Sequence, residues 1–175
     1  MEIPQVKTSQ QKVEWLKVVV LATFAVYFIW CFVSFEKWHF LDNVNLIIHE
    51  AGHFIFAIFD NEFIGVLGGT IFQLAVPIVF IVYFFLKGQF FSGSLLMFWL
   101  AQSLLNVAVY LGDAVKMELP LLGGGDFHDW NYLLGRLNIL ANADKIALLI
   151  RIFSVVIALG AIIIALLIIL KPKNL

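Results

Sequence analysis

The chain has 175 residues, of which 62% are hydrophobic and 13% charged, and its net charge is −1. A soluble domain is about a quarter charged, so the composition belongs to the membrane class, and the length suits one integral membrane domain over 1–175 with no separate soluble module. The absence of a basic patch points to no nucleic-acid partner. The single cysteine, Cys31, excludes an internal disulfide framework and a cysteine-based zinc site within one chain.

Residues 1–17 are polar and carry Lys7, Lys12 and Lys17. Residues 18–35 are long and apolar enough to cross a bilayer. The run is too long for the apolar region of a signal peptide and no small-residue cleavage site follows it, so it reads as a retained span. Cys31, inside this run, reads as a small buried or lipid-facing hydrophobe. A short loop, 36–42, holds His39, read as an interfacial loop histidine, and ends at Asp42, the expected N-cap of a second helix running to Phe59.

That second helix contains His49-Glu50-Ala51-Gly52-His53. HExxH on a helix sets two imidazoles on one face, one turn apart, where both can hold one zinc ion, with the glutamate as general base toward water. Ionisable groups at membrane depth are costly and are usually kept for a function. Asn45 lies one turn before His49 on the same face, placed to hydrogen-bond a ligand from behind. A third span ends near Leu86, entered through Gly65, Gly68 and Gly69 as an irregular close-packed segment, and Pro77 is expected to kink it.

Residues 90–112 form the fourth span, and Gln102, Asn106, Tyr110 and Asp113 fall on one of its faces. Catalytic zinc usually has three protein ligands. Asp113 is the first candidate for the third, with Lys116 or Lys17 as its alternative ion-pair partners. Gln102 and Asn106 read either as groups that bind a substrate backbone or as hydrogen-bonded glue between helices. The longest connection, 116–143, contains Gly123-Gly124-Gly125-Asp126-Phe127-His128-Asp129-Trp130, where His128 or Asp129 offers an alternative third ligand, and Asp126 or Asp129 an alternative N-cap for a short helix over 130–140. The last span, 152–170, is apolar apart from Ser154, with Arg151 placed at an interface. The basic residues favour a cytoplasmic N-terminus, on the side of Lys116, Arg136 and Lys145.

With HEAGH in an apolar helix and an aspartate two spans later, the chain resembles the site-2-protease-type intramembrane metalloproteases, over about residues 43–115 as the metalloprotease core. His49 and His53 match the family's ligands and Glu50 its base. Asn106 precedes Asp113 at nearly the family's spacing, but no proline lies between them and Ala114 stands in place of the family's glycine; Gly68-Gly69 resembles a glycine-rich segment of some members, and no PDZ insertion is present. The resemblance implies an all-α polytopic bundle of about five spans, with a possible sixth short or re-entrant helix, in a bacterial-type inner or cell membrane. It also implies one Zn2+ per chain and hydrolysis of a peptide bond in a transmembrane segment of another protein. The alternative is a non-proteolytic membrane scaffold or regulator with the same ligand set. A small transporter is the third class, disfavoured because no internal repeat is present.

Overall fold

The structure is a computed structural model describing residues 5–120 and 127–171. It is all-α. Helix α1 covers Gln5–Val33, α2 Phe40–Phe56, α3 Glu62–Leu86, α4 Phe90–Gly112, α5 Asp129–Arg136 and α6 Ala143–Ile169, with single 3-10 turns at Ala57–Phe59 and Leu140–Asn142. Four segments are long and apolar enough to cross a membrane: Trp15–Val33, Glu62–Leu86, Phe90–Gly112 and Leu140–Ile169. Helix α2, expected as a fifth span, has 17 residues. At 1.5 Å per residue it is about 26 Å long, less than the roughly 30 Å hydrocarbon core.

Half of the α4 span is buried, against 17–28% for the other three, so α4 is the central element. Around it Leu21 and Phe28 of α1, Phe98 and Ala101 of α4, and Ala158, Ala161 and Ala165 of α6 form one apolar cluster. The alanines let α6 come close to α4, as small residues do where lipid supplies no hydrophobic drive between helices. A second cluster, Leu111, Ala114, Leu134, Ala143 and Ala147, seats α5 between the ends of α4 and α6.

Helix α2 has the inverse polarity of a soluble amphipathic helix. Asp42, Asn45, His49 and Gly52 are buried, while Ile47 is 71% exposed and Phe54 80%. Residues spaced three and four apart share a face, so the polar stripe turns into the bundle and the apolar one outward, as an apolar solvent requires. The N-cap is His39, not Asp42. Asp42 lies in the first turn, and its Oδ2 accepts the His39 backbone N–H at 2.6 Å. A carboxylate at that position can reach back to the cap residue, and this satisfies a backbone donor that would otherwise be buried unpaired. His39 is also not a loop residue facing an interface. It is 5% exposed, with Nε2 2.9 Å from Ser34 Oγ and its ring edge-on to Trp30.

The expected irregular glycine entry to the third span is regular helix. Asn61 caps α3, its Oδ1 accepting from Ile64 N at 3.1 Å, and Gly65, Gly68 and Gly69 fall in its first turns. Helix α3 continues through Pro77. Close packing is what the glycines serve. A Cβ on Gly52 would stand on the Gly68 carbonyl and 2.8 Å from both Gly69 Cα and Phe72 Cβ. Backbone cannot yield there, so Gly52→Ala is expected to destabilise the bundle by about 1–3 kcal/mol. Thermal unfolding in detergent, with Gly135→Ala as reference, measures this; a Cβ on Gly135 meets nothing within 4 Å. Helix α6 starts at Ala143, earlier than residue 152, which puts Arg151 inside it with its guanidinium 3.8 Å from the Phe35 ring centroid. The short helix predicted over 130–140 is observed as Asp129–Arg136, and Gly123, Gly124, Gly125 and Asp126 lie outside the described residues.

Candidate metal centre

Three side chains converge between α2 and α5. Among the described residues, His49, His53 and Asp129 present ligand atoms that all lie within 4.8 Å of one another. His49 Nε2 stands 2.9 Å and His53 Nε2 3.2 Å from the same oxygen, Asp129 Oδ2. The spacing of the two histidines puts their rings one turn apart, 4.7 Å between centroids and near perpendicular. Gly69 of α3 faces them, and a Cβ there would lie 2.6 Å from His49 Nε2 and 2.7 Å from His53 Nε2. Only glycine leaves the space next to those nitrogens open.

The remaining ring nitrogens fix which nitrogen carries the hydrogen. His53 Nδ1 lies 3.0 Å from the Gly65 carbonyl oxygen. A carbonyl accepts only, so Nδ1 donates. His49 Nδ1 lies 3.1 Å from Gln73 Oε1. The amide orientation of Gln73 follows from its other end, where Nε2 donates to Asn106 Oδ1 at 2.9 Å and reaches the Ser103 carbonyl at 3.5 Å. Hence His49 Nδ1 donates as well. In the neutral rings both Nε2 lone pairs are bare and point at a carboxylate oxygen. Three electron-pair donors facing one another require a cation between them, either a proton or a metal ion. Two imidazoles and one carboxylate are a donor set that suits zinc with a fourth position open, so the residues fit the ion that HExxH implies. When the cation is a proton, the rings donate from Nε2 and hold the Asp129 carboxyl down at about 2, against the burial that pushes it up.

Asp129, not Asp113, accompanies the histidines. Asp113 ends α4, where its Oδ1 accepts Glu118 N and its Oδ2 accepts Leu119 N, both at 3.0 Å. Neither Lys116 nor Lys17 forms an ion pair with it; its titratable neighbour is His128, whose Nε2 faces Asp113 Oδ2 at 3.5 Å. His128 is the N-cap of α5 and accepts Asn131 N at 3.3 Å. Burial lowers the His128 pKa, so it stays a neutral cap. Tyr110 completes the support: its hydroxyl accepts Asp129 N at 3.2 Å and its ring packs on His128, 4.3 Å between centroids. The polar face of α4 thus positions the helix that carries Asp129.

Gln102 and Asn106 both line the cavity, yet both amide atoms of each are bonded within the chain. Gln102 accepts from Asn45 Nδ2 at 2.7 Å and donates to Asp42 Oδ1 at 2.6 Å. Asn106 accepts from Gln73 and donates to Asp42 Oδ1 at 3.0 Å. Asn45 does not bond His49; its Oδ1 accepts from Trp99 Nε1 and Ser103 Oγ. Gln73, which does bond His49, escaped the sequence reading. The signal was a lone amide in an apolar span, at the four-residue spacing from Gly69 that puts both on one face.

Glu50 is half-buried and lines a cavity of about 720 Å³ together with His49, His53, Gln73 and Asp129. It forms no hydrogen bond or ion pair among the described residues. The cavity runs from this group to Cys31 near the end of α1 and to Phe35 and Trp38 in the connection that follows it. Because Gln73 orients a ligand ring from behind, Gln73→Leu is expected to weaken zinc binding about 10–100-fold, as measured by competition with a chromophoric chelator. Comparison with known protein families, curated proteins and solved structures finds no match to this chain.

Proposed function

We propose that the protein is an intramembrane zinc metalloprotease that hydrolyses a peptide bond in a transmembrane segment of another membrane protein. One observation carries the reading: two imidazole Nε2 atoms, kept bare by Gly65 and Gln73, converge with the Asp129 carboxylate beside Glu50 in a cavity bounded by membrane-type helices. A zinc ion held by His49, His53 and Asp129 would supply Lewis acidity toward the scissile carbonyl and acidify water.

The chain's own residues do the rest. Glu50, unpaired and facing the cavity, takes a proton from water and delivers it to the leaving amine. Gln73 and the Gly65 carbonyl keep the two rings oriented. Tyr110 and His128 hold the first turn of α5, and with it Asp129, against α4. A substrate helix hides its backbone and has to unwind locally before a peptide bond is open to attack. Because Gln102 and Asn106 are bonded within the chain, they serve to join α2, α3 and α4.

The experiment compares cells expressing the wild type with cells expressing His49→Ala, by mass spectrometry of membrane-protein fragments. New termini inside transmembrane segments, present only with the wild type, are the expected result. Identical fragment sets would favour a membrane scaffold that binds metal without cleaving.

A further inference from the structure

The buried amides form a chain that ends on a carboxylate remote from the metal ligands. His49 Nδ1 donates to Gln73 Oε1, Gln73 Nε2 to Asn106 Oδ1, and Asn106 Nδ2 to Asp42 Oδ1, at 3.1, 2.9 and 3.0 Å. Every hydrogen in it points toward Asp42. An amide can reverse, and reversal of Gln73 would aim an N–H at His49 Nδ1, move the ring hydrogen to Nε2 and remove the lone pair that a metal needs. The Ser103 carbonyl favours the observed direction only weakly, at 3.5 Å from Gln73 Nε2, so the direction rests chiefly on what lies beyond Asn106.

Asp42 does so, because it can only accept. It is 5% exposed and receives three donors: Gln102 Nε2 and Asn106 Nδ2 on Oδ1, and His39 N on Oδ2. The Gln102 branch is fixed independently. Trp99 Nε1 is donor-only, so Asn45 turns its oxygen to Trp99 and its nitrogen to Gln102 Oε1, which leaves Gln102 Nε2 facing Asp42. All the donors around Asp42 therefore demand an acceptor on both of its oxygens, which a carboxylate supplies and a carboxamide does not.

We infer that Asp42 is a positioning residue for the metal centre, acting through Asn106 and Gln73 to keep His49 Nε2 free to bind metal. The inference rests on the proposed zinc site, and the test separates the two. Zinc affinity is measured by chelator competition for wild type, Asp42→Leu, Gln73→Leu and the double variant, with thermal unfolding of each. Asp42→Leu, which leaves Asn106 Nδ2 no acceptor, is expected to weaken zinc binding tenfold or more in the wild-type background and to add less than twofold in the Gln73→Leu background, because the link is already cut. Its effect on thermal stability, which comes from the α2 cap, should persist in both. In zinc-loaded protein labelled with 15N-histidine, the His49 Nδ1–H resonance, identified by its loss in His49→Ala, should shift in Asp42→Leu.

Equal losses of zinc affinity in both backgrounds, or an unmoved resonance, would overturn the inference and leave Asp42 as a helix cap. Should Asp42→Leu fail to fold, Asn106→Leu cuts the same chain one link further in and carries the same expectation. A folded wild type that binds no zinc would instead sink the metal-centre reading itself.

Discussion

Glu50→Gln is expected to lower peptide hydrolysis by about 10²–10⁴-fold, the range general acid–base catalysis contributes, while leaving zinc content and thermal stability unchanged. The carboxamide keeps the shape of the side chain but cannot accept a proton. Glu50 has no hydrogen-bond partner among the described residues, so its replacement breaks no structural bond, and its side chain is not among the three that converge as ligands. Purified protein in detergent or liposomes, with a single-span substrate, provides the assay. A scaffold predicts no change in any readout, because nothing in the fold leans on Glu50. Loss of zinc in Glu50→Gln would be a different failure, since it would make Glu50 a ligand and not the base.

Asp129→Ala is expected to lose zinc, whereas Asp113→Ala keeps it. Asp129 shares one oxygen between both histidines, and losing a ligand should exceed the about 10–100-fold that losing a group behind a ligand costs. Asp113 holds the chain after α4 through two backbone N–H groups and faces His128. Hydrogen bonds to a charged group each contribute about 1.5–3 kcal/mol, so Asp113→Ala should lower thermal stability clearly while zinc remains stoichiometric. The reverse pattern, zinc lost in Asp113→Ala and kept in Asp129→Ala, would return the third ligand to α4.

Periodicity and composition made most of the helices legible. The apolar runs near 18–35 and 90–112 match the span Trp15–Val33 and helix α4, because a membrane span has to be continuous and long, although α1 itself already begins at Gln5 in the polar stretch. Boundaries failed where polar residues were helical. Ala143–Arg151 contains Asp144, Lys145 and Arg151 and lay outside the span expected at 152–170, yet forms the first turns of α6. The two histidines and the glutamate are legible because they lie on one helix, where sequence spacing is geometry. The third carboxylate is not. Asp113 and Asp129 stood as alternatives, and what separates them is the packing of α5 against Tyr110 and Leu111, a tertiary contact with no signature in local spacing. The amides of the fourth span, Gln102 and Asn106, were ambiguous for the same reason: the sequence shows that they turn inward, but not whether their partners lie in the chain or in a substrate.

The most direct test is zinc-edge X-ray absorption on the purified wild-type protein beside His49→Ala and Asp129→Ala. The account predicts one zinc per chain, with two imidazole nitrogens at about 2.0–2.1 Å and a carboxylate oxygen at about 2.0–2.2 Å, and loss of the corresponding scatterer or of the metal in each variant. A well-folded wild type that takes up no zinc when it is supplied, or that holds it in a shell without imidazole, would contradict it.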